Sequence, residues 1–133
     1  MKIMIDTNIL ISAALFPGGQ ASQALFRALA PPYEPMICDY IVDELQHVFR
    51  KKFPAKTAAL QSFLSSSASI IKVVKTPEKP NIAEQNIRDV KDRPILRAAI
   101  AFGADYLLTG DKDFFDASIQ HPCVISVATF LQF

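Results

Sequence analysis

The apolar positions of the chain fall into short runs that are separated by longer stretches with helical spacing. Each short run is bounded by turn residues, which predicts buried strands. The predicted strands are Lys2–Ile5, Pro35–Cys38, Ile70–Val74, Tyr106–Thr109 and Val124–Ser126. The helical spacing predicts helices over 20–30, 39–51, 55–67, 92–102 and 127–132, with Gly103 at a helix C-cap position. This alternation predicts an α/β fold, a small three-layer fold whose central, mainly parallel sheet is covered on both faces.

The length and composition are those of one globular domain. Half of the 133 residues are hydrophobic and a fifth are charged, without repeats or low-complexity tracts. The polar segment Thr76–Asn81 predicts a loop, so we expect residues 1–133 to form a single domain. No apolar stretch approaches the ~20 residues of a membrane span, and Asp6 and Asn8 interrupt the apolar start before it could act as a signal peptide. We therefore expect a cytoplasmic protein.

Charge and isolated reactive residues change this picture little. A net charge of +1 argues against a protein that binds nucleic acid through an overall positive charge. An acidic pocket would, however, cancel the charge of a basic patch in this net value. One basic run either contacts phosphates or is a solvated helix end: Arg50, Lys51, Lys52 and Lys56. Cys38 and Cys123 have no partner at metal-ligand spacing, so we expect both to be free thiols in the core. His47 and His121 are likewise isolated and are excluded from the site.

Carboxylates from four segments are predicted to meet at one edge of the sheet. Asp6 follows the first strand and Asp111 follows the fourth. Asp92 opens the helix that precedes the fourth strand. At ~1.5 Å per residue this helix runs about 16 Å away from the edge, and the strand runs back over about the same distance. Asp92 and Asp111 should therefore lie close together. Glu44 borders an apolar stripe formed by Ile41, Leu45 and Val48, where an uncompensated carboxylate is unfavourable. Parallel sheets place their sites beyond these carboxyl ends.

Each carboxylate also has a simpler interpretation. Asp6, Asp92 and Asp111 are good N-caps for the helices that follow them, and Glu44 could lie on a solvated face. Together the four negative charges would repel one another unless a hard divalent cation compensates them. Mg²⁺ or Mn²⁺ takes such oxygen ligands, and the sequence leaves one or two ions open.

Three motifs resemble those of the PIN-domain nucleases, especially the VapC-like toxins of toxin-antitoxin pairs. They are Asp6-Thr-Asn-Ile9, Val42-Asp-Glu44-Leu45, and the stretch from Asp92-Arg-Pro-Ile-Leu-Arg-Ala-Ala99 through Gly103-Ala-Asp-Tyr-Leu-Leu-Thr-Gly-Asp111-Lys-Asp-Phe114. The resemblance implies a PIN-like fold and hydrolysis of single-stranded RNA with Mg²⁺ or Mn²⁺. It assigns metal binding and catalysis to Asp6, Glu44, Asp92 and Asp111, and supporting roles to Asn8 and Thr109. Two alternatives stay open, because Asp89 competes with Asp92, and Asp113 could replace or assist Asp111.

Partners and alternative functions follow from the same residues. The apolar faces around Phe26–Leu29 and Leu60–Leu64 exceed what one small core needs, which favours a homodimer or a groove for an antitoxin protein. A non-catalytic PIN-fold module that binds RNA or protein is the main alternative, although all four acids are present. A haloacid-dehalogenase-like phosphotransferase is less favoured, because its chemistry needs a second aspartate where this chain has Asn8. Hydrolysis by activated water requires no side-chain nucleophile.

Overall fold

A computed structural model describes all residues from Met1 to Phe133. Its five strands, all parallel to their neighbours, form one sheet in the order β3-β2-β1-β4-β5. The strands are β1 Lys2–Ile5, β2 Glu34–Cys38, β3 Lys72–Val74, β4 Tyr106–Leu108 and β5 Cys123–Ile125. The chain winds from β1 out to β3 and then returns to the other side of β1. The switch point of the sheet therefore lies between β1 and β4, where open α/β sheets bind their ligands.

Seven α-helices and two short 3₁₀ segments flank this sheet. The helices are α1 Thr7–Leu15, α2 Gln20–Ala28, α3 Asp39–Lys52, α4 Thr57–Ser67, α5 Arg93–Ala101, α6 Lys112–Asp116 and α7 Val127–Phe130, and the 3₁₀ segments are Pro54–Lys56 and Ile82–Asn86. The α/β class and the parallel sheet are confirmed. No single helix is long and apolar enough to cross a membrane, and α1 with α2 reaches the necessary length only as a pair bent by 117°.

Several local expectations were wrong. The list of predicted helices lacked α1, because its apolar residues continue the run of β1 and hide the helical period. On α3 the third buried position is Phe49, whereas Val48 is only half-buried. Cys38 is a core residue, but Cys123 is exposed because β5 is an edge strand of the sheet. Thr76–Asn81 forms a loop as expected.

The connection from α5 to β4 explains how two distant carboxylates reach the same edge. Gly103 has φ +70°, a conformation that glycine adopts without strain. Around it, Ala104 N–H donates to Ala99 O at 2.9 Å and Gly103 N–H to Ile100 O at 3.2 Å, the two bonds of a Schellman motif. The predicted helix C-cap at Gly103 is confirmed. The chain turns back at once, so the start of α5 and the end of β4 lie at the same sheet edge.

An ion pair fixes the loop that precedes α5. The Glu84 side chain is 3% exposed and accepts hydrogen bonds from Arg97 Nη2 at 2.9 Å and Arg97 Nε at 3.0 Å. Arg97 Nη1 also donates to Pro77 O at 3.0 Å. Glu84 further accepts from Asn81 N–H in a capping box. The segment that leads to Asp92 is thereby held against α5.

Glu84→Ala should destabilise the protein strongly, because it leaves the Arg97 charge partly buried without its partner. We expect the free energy of unfolding in urea to fall by roughly 3–5 kcal/mol. Glu78→Ala, at an exposed glutamate of the same region, should change it by less than about 0.5 kcal/mol. Equal stability of the two variants would show that the ion pair contributes nothing to the fold.

Candidate metal centre

Asp6 lies at the switch point of the sheet and is only 3% exposed. Its backbone N–H donates to Leu108 O at 3.0 Å, which ties it between β1 and β4. One carboxylate oxygen, Oδ1, accepts from Thr7 N–H at 2.8 Å at the start of α1, and the other, Oδ2, accepts from Thr109 Oγ1 at 2.6 Å. The capping and site interpretations therefore do not exclude each other, because Asp6 caps α1 while its carboxylate faces the end of β4.

Thr109 links Asp6 to Asp111. Its fully buried hydroxyl donates to Asp6 and accepts from Asp111 N–H at 3.0 Å. Asp111 in turn caps α6, because its Oδ1 accepts from Asp113 N–H at 2.9 Å. One hydroxyl thus contacts both residues. This contact agrees with the supporting role that the resemblance implied for Thr109.

Glu44 reaches the cluster from α3. Its half-buried side chain accepts a hydrogen bond from the hydroxyl of Thr7, the first residue of α1. Sequence reasoning missed Thr7, and the available signal was its place directly after Asp6 at the start of a capped helix. Two threonines, one from each side of Asp6, therefore orient the acidic groups.

Asp92 is the least compensated of the four. It occupies the N-cap position of α5 without a capping hydrogen bond, and its buried Oδ2 has no hydrogen-bond partner. Burial, contact with the Asp111 carboxyl group and the charges of Asp111, Asp6 and Asp89 raise the pKa of Asp92 to about 8. The Asp111 carboxyl group can bond to Asp92 only when a proton lies between them, so the two groups repel each other when both are ionised.

The negative charges of these groups act on one another. The pKa of Asp6 is raised to about 6, mainly by burial and further by the charges of Glu44 and Asp111. The hydrogen bonds from Thr109 and Thr7 lower this pKa but do not offset the increase. Thr7 and Thr109 link Asp6 to Glu44 and to Asp111, and Asp92 contacts Asp111, so these four predicted residues lie at the same edge of the sheet. A set of oxygen donors with an orphaned buried oxygen fits a hard divalent cation, which would supply the missing positive charge.

The two competing aspartates lie beside this set. One carboxylate oxygen from each of Asp89, Asp92 and Asp113 lies within 4.8 Å of the others. Asp89 is exposed and accepts from Lys91 N–H at 3.0 Å, and Asp113 pairs with Arg88 Nη2 at 3.1 Å. Both groups already have donors, unlike Asp92 Oδ2. Asp92 therefore belongs to both groups of carboxylates, because it also contacts the Asp111 carboxyl group.

Other predicted residues lie apart from the cluster. Asn8 is exposed on α1, and no hydrogen bond connects its side chain to the acids.

The basic run lies at the end of α3, and this helix leads away from the carboxyl edge of the sheet. Lys52 is eight residues beyond Glu44, a distance of about 12 Å along the helix. These exposed cations therefore lie towards the opposite edge: Arg50, Lys51, Lys52 and Lys56. His47 and His121 are exposed.

Comparison with known proteins places this arrangement in a family. The family model described as PIN domain matches residues 2–113. The chain belongs to the PIN domain family. No curated protein matches the sequence.

Solved structures share the same PIN-like fold. The structure of VapBC2 from Rickettsia felis bound to a DNA fragment from their promoter has a TM-score of 0.72 and 21% identity, covering 95% of this chain and 98% of that chain. FitAcB from Neisseria gonorrhoeae has a TM-score of 0.66 at 21% identity and the same coverage. VapC20 from Mycobacterium tuberculosis, described as a Sarcin-Ricin loop cleaving toxin, has a TM-score of 0.61 at 16% identity and covers 88% of this chain and 95% of that chain.

Without metal, the carboxylate repulsion should make the stability of this PIN domain depend on pH. A carboxyl group with a raised pKa in the folded state stabilises the fold while it is protonated, and this contribution is lost as the pH rises from about 4 through the folded pKa. For Asp92 that pKa is about 8. In EDTA, the melting temperature of wild type should therefore fall relative to that of Asp92→Asn between about pH 5 and pH 8.5.

The exposed substitution Asp116→Asn provides the matched control, and its difference from wild type should stay constant over the same pH range. A constant difference between wild type and Asp92→Asn would instead mean that Asp92 titrates normally and is an ordinary helix cap.

Proposed function

We propose that this chain is an endoribonuclease that requires Mg²⁺ or Mn²⁺, hydrolyses single-stranded RNA and acts as the toxin of a toxin-antitoxin pair. The orphaned Asp92 Oδ2 carries the proposal, because it lies among four mutually repelling carboxylates at the switch point of a PIN-domain sheet. An aspartate kept only for capping would accept a hydrogen bond from its helix, and Asp92 accepts none.

The chain's own residues would hold and orient the site. Asp6, Glu44, Asp92 and Asp111 would hold one or two ions, whose chemistry is to polarise the phosphodiester and activate water for hydrolysis. The hydroxyls of Thr7 and Thr109 are buried and already donate to Glu44 and Asp6. We therefore assign them to positioning the carboxylates, and no covalent nucleophile is needed.

A polyanionic substrate needs cations beside so many acids. Arg88, whose side chain is 87% exposed, is held to Asp113 at 3.1 Å at the rim of the cluster. Lys91 is exposed on the same loop, between Asp89 and Asp92. We propose that this loop contacts the RNA phosphates near the scissile bond. The basic run from Arg50 to Lys56 would meet only more distant phosphates.

The toxin role and the partners rest on the similar structures. One of them is described as a cleaving toxin and another as VapBC2 bound to its promoter fragment. This chain carries two apolar surfaces that suit a second copy and an antitoxin protein. The first is a cleft of about 540 Å³ around Phe26, which is 79% exposed, and the second is an apolar groove of about 150 Å³ at Phe63 and Leu64. Leu60 is instead a core residue.

Purified protein should cleave single-stranded RNA in Mg²⁺ or Mn²⁺ and stop in EDTA. Asp92→Asn and Asp6→Asn should each lower the cleavage rate by at least about 100-fold, because each removes a carboxylate from the site. Both should also lose most of the rise in melting temperature that excess Mn²⁺ produces in wild type. Gel-based cleavage and thermal melting provide the two measurements.

Asp116→Asn should keep wild-type cleavage and wild-type stabilisation by Mn²⁺. Equal cleavage with and without EDTA would rule out the metal mechanism. RNA binding without cleavage, with all four carboxylates intact, would instead identify the chain as a non-catalytic PIN-fold module.

The exposed face of α2 should mediate self-association. We expect light scattering to give the mass of a dimer at micromolar concentration, because burying Phe26 removes a large apolar surface from water. Phe26→Glu should give a monomer with unchanged melting temperature at low concentration. A monomeric wild type would contradict the dimer, and a dimeric Phe26→Glu would exclude this face.

A further inference from the structure

A shallow cleft of about 260 Å³ opens beside the carboxylate cluster and takes no part in the proposed metal chemistry. Tyr40 lies in the first turn of α3, four residues before Glu44, and residues at this spacing share a helix face. Pro94 lies in the first turn of α5, two residues after Asp92. The cleft therefore adjoins the acids. Its lining residues are Asp39, Tyr40, Asp43, Thr76, Pro94 and Arg97.

The Tyr40 ring lies close to the candidate metal ligands. Burial, followed by the charges of Glu44, Asp92 and Asp89, raises the pKa of its hydroxyl to about 12. The ring is half-buried, so part of its surface is open to a ligand. A strand that crosses the acids with its phosphate would therefore bring a neighbouring base to Tyr40.

The walls of the cleft are fixed before any ligand binds. Asp39 Oδ1 accepts from Tyr40 N–H at 2.9 Å and from Thr76 N–H at 2.8 Å, which joins α3 to the loop after β3. The guanidinium of Arg97 is occupied by Glu84 and by Pro77 O. A preformed surface loses less entropy when a ligand binds.

Asp43 is the lining carboxylate that accepts no hydrogen bond from the chain, whereas Asp39 accepts several. Asp43 is exposed and takes part in none of the chain's four ion pairs. It follows Tyr40 by three residues, so both side chains lie on the same side of α3. A carboxylate only accepts hydrogen bonds and repels phosphate, so its partners in RNA are 2′-hydroxyl groups and the N–H edges of bases, and of these only the base edges differ between nucleotides.

We propose that this cleft binds one nucleobase next to the scissile phosphate, stacked on Tyr40 and hydrogen-bonded to Asp43, with guanine preferred. This inference rests on the proposed function and deepens it. Aromatic rings are the usual platforms for unpaired RNA bases. Guanine presents an imino and an amino N–H side by side, which match the two oxygens of one carboxylate. Adenine and cytosine offer one amino group there, and uracil offers one imino group.

The first test compares cleavage of four uridine-rich oligonucleotides that differ only in one internal base: G, A, C or U. Wild type should cleave beside guanosine fastest. Tyr40→Ala should lower kcat/KM for the guanosine substrate by between about 5-fold and about 150-fold, because stacking on the ring is lost. Tyr40→Phe should stay near wild type, since it keeps the ring. Asp43→Asn should bring the four substrates closer to equal rates.

Stabilisation by Mn²⁺ separates this site from the metal centre. Tyr40→Ala and Asp43→Asn should melt with the same Mn²⁺-induced increase as wild type. A reduced increase for Tyr40→Ala would show that the ring only supports the acids and would overturn the base site.

Binding provides a readout that does not depend on cleavage. Fluorescence anisotropy with 2′-O-methyl versions of the four oligonucleotides in Ca²⁺ should give the tightest binding with guanosine for wild type but not for Asp43→Asn. Preserved guanosine preference without any cleavage of RNA would contradict the proposed function and leave the base site standing. Equal binding and equal cleavage of all four would overturn the base site and leave the nuclease standing.

Discussion

Mutual repulsion between carboxylates held at one point of the sheet is the constraint on which the rest of this structure depends. Asp6 is almost fully buried, and Asp92 has a buried oxygen without a partner. Burial and neighbouring negative charge raise the pKa of both groups. Charged groups are stable in such places only when something compensates them. The threonine hydroxyls and the caps supply part of that compensation, and a divalent cation would supply the remainder.

The fold brings these charges together by ordinary means. The strand order places β1 beside β4, so the residues that follow the two strands are neighbours at the switch point. The Schellman turn at Gly103 returns the chain so that α5 begins where β4 ends. The pair Glu84–Arg97 holds the loop before Asp92, and Thr7 connects Glu44 to the start of α1. Each of these contacts also stabilises the fold locally. For this reason a purely structural role as a helix cap was a reasonable interpretation of each aspartate.

The sequence was enough to predict which distant residues lie close together, because this follows from the lengths of the helices and strands between them. The rise of a helix and the return of a strand were enough to pair Asp92 with Asp111. Details that depend on tertiary contacts were not. The exposure of Cys123 and of Asn8, the bond from Thr7 to Glu44, and the position of Tyr40 beside the acids depend on how helices pack. The pairing of Asp113 with Arg88 likewise has no signal in the local pattern. The acidic motif was therefore readable from the sequence, and its surroundings were not.

Crystals grown with Mn²⁺ and measured at the manganese absorption edge would test the central claim most directly, because anomalous scattering locates the ion independently of activity and stability. We predict an anomalous peak about 2.1 Å from Asp92 Oδ2. Further ligands should come from Asp6, Glu44 or Asp111. No peak at this cluster under saturating Mn²⁺, or a peak only elsewhere on the chain, would contradict it.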